Sequence, residues 1–332
     1  MKSVVITQHG APEVLQVQER PDARPGPGEV AIDVAAAGVN FADVMARVGL
    51  YPDAPKPPVV VGYEVAGTVS GLGDGAEGFE VGDRVMAGTR FGGYSERVAA
   101  KVTDVVGLPE RMSFEEGAAV PVNYLTAYLG LMRFGVLQAG ERVLIHAAAG
   151  GVGIAATQIA KRYGAEVLGT ASPQKHDALR GFGVDHALDY TEPGWERGLA
   201  KVDLVMDAVG GKSFRRSYEL LRPGGRLVCF GASAVMSGEK RNLVAAARAA
   251  ATMPRFNLIK QMSQSKSVIG LNMLTLWDEM GSLEPYLHSV EELIVDGTIQ
   301  PVVAKAFSFA QAPEAHRYIS ERRNVGKVVL TP

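Results

Sequence analysis

The chain has 332 residues, with 34 Lys or Arg against 36 Asp or Glu and a formal net charge of −2. A composition that is 47% hydrophobic and 21% charged, with 39 glycines, is globular, and the length allows about two domains of roughly 150 residues with a cleft between them. The even charge balance removes the electrostatic case for nucleic acid or an anionic membrane, and no run of ~18 apolar residues is present to span a bilayer.

The opening segment MKSVVITQHGAPEVLQV lacks the apolar core of a signal peptide, so a cytoplasmic protein is expected. Over the first ~120 residues, short Val-rich runs alternate with Gly/Pro turns: SVVIT, EVAIDVAAAGV, PPVVVGYEVAGTVSGLG, GDRVMAG and GYSERVAA. They predict short strands of a mostly antiparallel β domain, with one helix near FADVMARVG. Ser113 and Glu116 then form a capping box ahead of an apolar stretch, a helix start. From there strands and helices alternate. RVLIHAA, AEVLGTA, HALDY, DLVMDAV and RLVCFGAS read as strands, and IAATQIAKRYG, KHDALRGFG and SFRRSYELL as the helices between them. Short apolar runs separated by helical patterns of ~10 residues predict βαβ units and a doubly wound parallel sheet, an α/β fold. The stretch 240–264 is helical in pattern and broken by Pro254, SVIGLNML reads as one more strand, and the tail from 284 returns to helix plus short strands. The single cysteine, Cys229, reads as a buried strand residue.

Between the RVLIH strand and the helix that follows, Gly151-Val152-Gly153-Ile154-Ala155-Ala156 matches GxGxxA, a form of the dinucleotide fingerprint. The two glycines let the backbone approach a pyrophosphate, Ala156 lets the helix pack against the sheet, and the helix N-terminus favours negative charge. The plainer alternative is a strand–turn–helix with incidental glycines. Sites for NAD carry an acid ~20 residues on, at the end of the second strand. The matching run GTASPQK has none, whereas Ser172 and Lys175 offer a hydroxyl and a point charge for a 2′-phosphate. The expected cofactor is therefore NADP(H), against the alternative of a surface lysine at a helix start.

HAAAGGVG, with AAVPVNYLTAY before it and GVDHALDY after it, resembles the medium-chain dehydrogenase/reductase superfamily. GVNFADVMARVGLYP and the closing GKVVL resemble its quinone oxidoreductase branch, which includes ζ-crystallin. SGEKRNL and KSVIGLNMLTLW are similar to the vesicle amine transport protein homologues within that branch. The resemblance covers essentially the full length. It implies a discontinuous GroES-like catalytic domain, 1–122 with 275–332, around an NADP-binding Rossmann domain at 123–274. It also implies a homodimer joined through the edge of the Rossmann sheet near SVIGLNML.

By the same resemblance, positions 40–44, with Asn40 and Asp43, line the nicotinamide end, and Thr126 reaches the cofactor phosphates or the nicotinamide amide. Gly150, Gly151, Val152 and Gly153 hold the pyrophosphate, and Ser172, Lys175 and Tyr190 match the 2′-phosphate positions. Val209, Gly231, Ala232 and Ser233 fall where successive strands end against the ribose and nicotinamide. Leu271, Asn272 and Asn324 match late cofactor contacts. The branch's zinc-dependent relatives carry a GHE motif that stands here as Gly62-Tyr63-Glu64. With one cysteine and six histidines without close ligand spacing, no metal is expected, and His146 reads as packed.

Without a Lewis acid, hydride transfer suits an acceptor whose conjugation spreads the developing charge, a quinone or an α,β-unsaturated carbonyl. Tyr51 matches a tyrosine at the mouth of the substrate site and, with Asn40, is a catalytic candidate. Tyr63 lines the substrate site or simply fills the space of the missing ligand. Met45 replaces an aromatic of some relatives. Arg90 and Tyr94 border the cleft or belong to a Gly-rich turn, and Lys240 with Arg241 meet an acidic substrate group or form a solvated pair. Two other readings stand: an NADPH-binding protein with a mainly non-catalytic role in partner, lipid or RNA association, for which MPRFNLIKQMSQSKSV is a basic, apolar segment, and a reductase of acyl-thioester enones.

Overall fold

A computed structural model describes residues 1–236, 244, 247 and 250–332. Lys240, Arg241 and part of the 240–264 stretch lie outside the described residues. Six parallel strands form one sheet in the spatial order His186–Asp189, Glu166–Ala171, Arg142–Ile145, Val202–Asp207, Leu221–Cys229, Ser267–Gly270. Numbered in chain order this is 3-2-1-4-5-6, so the direction of winding reverses beside Arg142–Ile145, the strand that leads into the glycine loop. Every residue of Val202–Asp207 is buried, as expected for a parallel strand covered by helices on both faces.

The N-terminal strands form the mostly antiparallel sheet expected of them. Its seven strands run Val303–Ser308, Lys327–Thr331, Glu29–Val39, Glu64–Leu72, Arg84–Gly88 and Val105–Gly107, with Arg97–Lys101 also paired to Glu29–Val39. Two of these come from the last thirty residues: Lys327–Thr331 lies antiparallel to Glu29–Val39 and parallel to Val303–Ser308. A smaller sheet joins Lys2–Ile6 to Leu15–Glu19 and Val59–Val60.

Ser113 and Glu116 form the capping box read from the sequence, but the helix they start, Phe114–Gly117, lasts one turn. Pro121 has no N–H to continue the ladder and instead begins a new helix, Pro121–Tyr128, at its first position. That helix joins the two large sheets. The apolar core runs from Ala66 and Met86 through Tyr124 and Leu125 to Val143 and Ile145. Among the described residues no helix is long and apolar enough to cross a membrane.

The fingerprint helix, Gly151–Arg162, starts at the glycine itself, with its core face formed by Ile154, Ala155, Ala156 and Ile159. A Cβ on Gly153 would lie 2.5 Å from the Ala147 carbonyl oxygen and 2.6 Å from the Ala148 Cα, so only glycine lets the helix sit this close to the loop. Gly153→Ala is expected to lower the urea-unfolding free energy by about 1–3 kcal/mol at unchanged m. Gly181→Ala, where an added Cβ meets nothing within 4 Å, serves as the control and leaves the midpoint unchanged or raised.

Candidate active site

A cavity of about 1670 Å³ opens between the sheets at the C-terminal ends of the parallel strands. It exceeds the roughly 300–1,000 Å³ of an ordinary small-molecule pocket, enough for a dinucleotide with a second molecule. Its floor is the glycine loop: Gly150, Gly151, Val152 and Gly153 all line it. The loop is stitched to the C-terminal segment, where the Gly326 N–H donates to the Ala149 carbonyl at 2.9 Å and Gly150 bridges Gly326.

At one end, Ser172, Lys175, Tyr190 and Asn324 come together, and the strand Glu166–Ala171 ends without an acid. The Lys175 ammonium donates to the carbonyls of Arg322 at 2.6 Å and Asn324 at 2.7 Å, two of its three donors. Burial, and next the Arg322 charge, lower its pKa. Arg322 itself lines the cavity and adds a second cation there. Sequence reasoning missed it; its only sign was the Arg322-Arg323 pair before Asn324. Val209, Gly231, Ala232, Ser233 and Leu271 line the wall between the two ends. Cys229, read as a buried strand residue, is only partly buried and borders this wall, its thiol pushed up to about 12 by burial.

At the other end stand Asn40, Met45, Tyr51, Tyr63, Thr126, Met273 and Trp277. Thr126 donates its hydroxyl to the Met273 sulfur at 2.7 Å. Behind Asn40 lies a buried charge pair that motif reading did not single out. The Lys327 ammonium donates to Asn40 Oδ1 at 2.7 Å and pairs with Glu64 Oε1, while Asn40 Nδ2 donates to the same Glu64 oxygen at 3.0 Å and the Val122 N–H to Glu64 Oε2 at 2.7 Å. Lys327 is 3% exposed and Glu64 0%, so each neutralises a charge that would otherwise be stranded. The bonds fix which way the Asn40 amide faces.

One expectation needs correction. Asp43 does not line the cavity. It is fully buried and accepts from the Asn40 N–H at 2.7 Å, the Gly62 N–H at 3.0 Å and the Tyr94 hydroxyl at 2.9 Å, so it ties the Phe41–Val48 helix start to the Gly62 turn. Tyr94 is therefore core, and Arg90 turns outward to a two-pronged pair with Asp278 at 2.5 and 2.7 Å. Asn272 does border the cavity, but its side chain caps the Met273–Met280 helix and donates to Asp53 at 2.9 Å. His146 is packed as read, its ring between Thr170 and Ser217 hydroxyls at 3.1 and 3.0 Å.

The donors do not fit zinc. Tyr63 occupies the motif position where the resemblance puts a ligand histidine, and among the described residues no three His, Cys, Asp or Glu side chains gather as a metal would require.

Residues 26–125 match the alcohol dehydrogenase GroES-like domain and residues 182–330 the zinc-binding dehydrogenase family. The chain is 38% identical over 340 residues to a synaptic vesicle membrane protein VAT-1 homolog of Homo sapiens, covering 100% of this chain and 86% of that one. The chain belongs to the medium-chain dehydrogenase/reductase superfamily. Its solved relatives include an Escherichia coli quinone oxidoreductase complexed with NADPH, 32% identical with a TM-score of 0.86 over 100% of both chains. They also include the CurK enoyl reductase, 29% identical with a TM-score of 0.86 over 99% of this chain and 98% of that one. This is an oxidoreductase family, and the chain falls with its quinone oxidoreductase-like members.

Burial raises the Asp43 carboxyl to about 7, against the Asn40 N–H, Tyr94 hydroxyl and other bonds that favour the charge. A folded pKa above the unfolded 3.8 means that this carboxyl's stabilising contribution is complete below pH ~4 and is lost as pH rises through about 7. Between pH 5 and 7, urea unfolding of the native protein is expected to lose stability relative to Asp43→Asn by up to ~1.4 kcal/mol per pH unit.

Proposed function

We propose that the protein is an NADPH-dependent reductase of quinones or α,β-unsaturated carbonyls that works without zinc. The observation carrying this reading is a single cavity with a glycine-loop floor, Lys175 and Arg322 at one end and an aromatic, thioether-rich pocket at the other. NADPH fits it: the amides at the start of Gly151–Arg162 would hold the pyrophosphate, Lys175 and Arg322 with Ser172 and Tyr190 the 2′-phosphate, and Asn40 and Thr126 the nicotinamide end. When bound, that cofactor supplies the hydride.

The chain's own contribution is position and exclusion of water. The Glu64–Lys327 pair orients the Asn40 amide, and Tyr51, Tyr63 and Trp277 form walls against which a flat conjugated acceptor lies. Burial and the Asp53 charge raise the Tyr51 hydroxyl to about 12, so it stays protonated as a donor at neutral pH.

We also propose a homodimer through Ser267–Gly270, the edge strand of the parallel sheet among the described residues. The neighbouring helix Leu258–Gln264 exposes Leu258, Ile259 and Met262, each more than 70% accessible, next to that unpaired edge. Light scattering of the native protein should give twice the chain mass, and Leu258→Lys with Ile259→Lys should halve it.

Purified protein should oxidise NADPH in the presence of 1,4-quinones or 2-alkenals, and NADH far more slowly. Lys175→Ala should raise the NADPH dissociation constant ~10–100-fold, about 1.4–2.8 kcal/mol, and leave that of NADH nearly unchanged. Equal effects on both would defeat the 2′-phosphate assignment. Tight NADPH binding without turnover on any acceptor would favour the binding-protein reading.

A further inference from the structure

Tyr63 is 5% exposed and borders the acceptor end of the cavity. Its hydroxyl has no hydrogen-bond partner among the described residues, although the rest of the residue is held firmly. The Tyr63 carbonyl accepts from the Thr89 N–H at 2.8 Å. On its other side the Gly62 N–H donates to Asp43, and the Gly62 carbonyl accepts from the Thr89 hydroxyl at 3.0 Å. The ring lies 5.4 Å from Phe91 and meets Tyr51 edge-on at 6.4 Å. An oriented donor is thus left unused in a dry wall, where an unmade hydrogen bond destabilises the fold. Asp43, the buried carboxylate that holds the neighbouring Gly62 N–H, already accepts from three other donors.

We propose that the Tyr63 hydroxyl donates the hydrogen bond that takes up negative charge on the acceptor's carbonyl oxygen as the acceptor is reduced. The proposal rests on the reductase reading above. For an enone, the hydride that NADPH would supply forms a C–H bond at the β-carbon as the C=C π bond breaks. The electron pair moves through the α-carbon onto oxygen, which is the atom Tyr63 meets. The dinucleotide leaves oxidised by two electrons, and water then supplies the proton to the α-carbon. Burial keeps the tyrosine proton on its oxygen, far above the ordinary range, so the residue stabilises charge and does not itself give up the proton. The hydroxyl is sealed from bulk solvent within a residue that lines the cavity, beside the half-buried Tyr51 ring.

Tyr63→Phe tests this because it keeps the ring packing and removes only the unpaired oxygen. The expected variant melts no lower than the native protein and binds NADPH within twofold. It loses about 100-fold in kcat toward 2-alkenals and quinones. Calorimetric affinity of cyclohex-2-enone for the NADP⁺-loaded protein should fall at least several-fold. A Tyr63→Phe kcat within threefold of native on every acceptor overturns the proposal, as does a lowered melting temperature with weakened NADPH binding, which would make Tyr63 a packing residue. If the native protein neither turns over nor binds any acceptor in the NADP⁺ complex, the reductase reading itself fails and takes this assignment with it.

Discussion

The cleft depends on one buried charge pair. Lys327 and Glu64 are each almost wholly out of water, and with Asn40 and Val122 they tie together four separate parts of the chain. Glu64 begins a strand of the antiparallel sheet, Asn40 precedes the Phe41–Val48 helix, Val122 lies in the helix joining the two large sheets, and Lys327 opens the last strand. Removing either charge alone would strand the other and cost about 3–5 kcal/mol. The residue before Lys327 is hydrogen-bonded to the glycine loop. The same few residues therefore hold the acceptor end, the nicotinamide end and the pyrophosphate floor in register.

A second consequence follows at the far end. The carbonyls of Arg322 and Asn324 position the Lys175 ammonium, so a residue of the parallel-sheet half is oriented by backbone from the C-terminal segment. The site is thus shared across the cleft at both ends. Its walls differ in kind: backbone amides and cations at one end, rings and thioethers at the other. That gradient suits a charged dinucleotide whose reactive ring meets an apolar acceptor.

Much of this was legible in the residues. The alternation of strands and helices after residue 140, the GxGxxA fingerprint and the acid-free end of the second strand are local signals, and each has a direct physical cause in turn geometry or phosphate binding. Asp43 was misread because its motif position says nothing about which way its carboxylate turns, and three donors draw it inward. The capping box at Ser113 marked only a start, and the helix it begins lasts one turn before Pro121 opens the next. Arg322 and the Lys327–Glu64 pair were invisible as a site, since their partners lie more than a hundred residues away.

By itself the sequence determined the class of fold and the glycine loop, because those rest on short-range spacing and periodicity, while the family rested on the resemblance of its motifs. Tertiary structure alone decided which groups share the cleft. It joined the last strand to Glu29–Val39, brought the ammonium of Lys327 onto Glu64 and left the Tyr63 hydroxyl without a partner. Those outcomes depend on burial and on contacts between distant segments, which no local pattern of residues encodes.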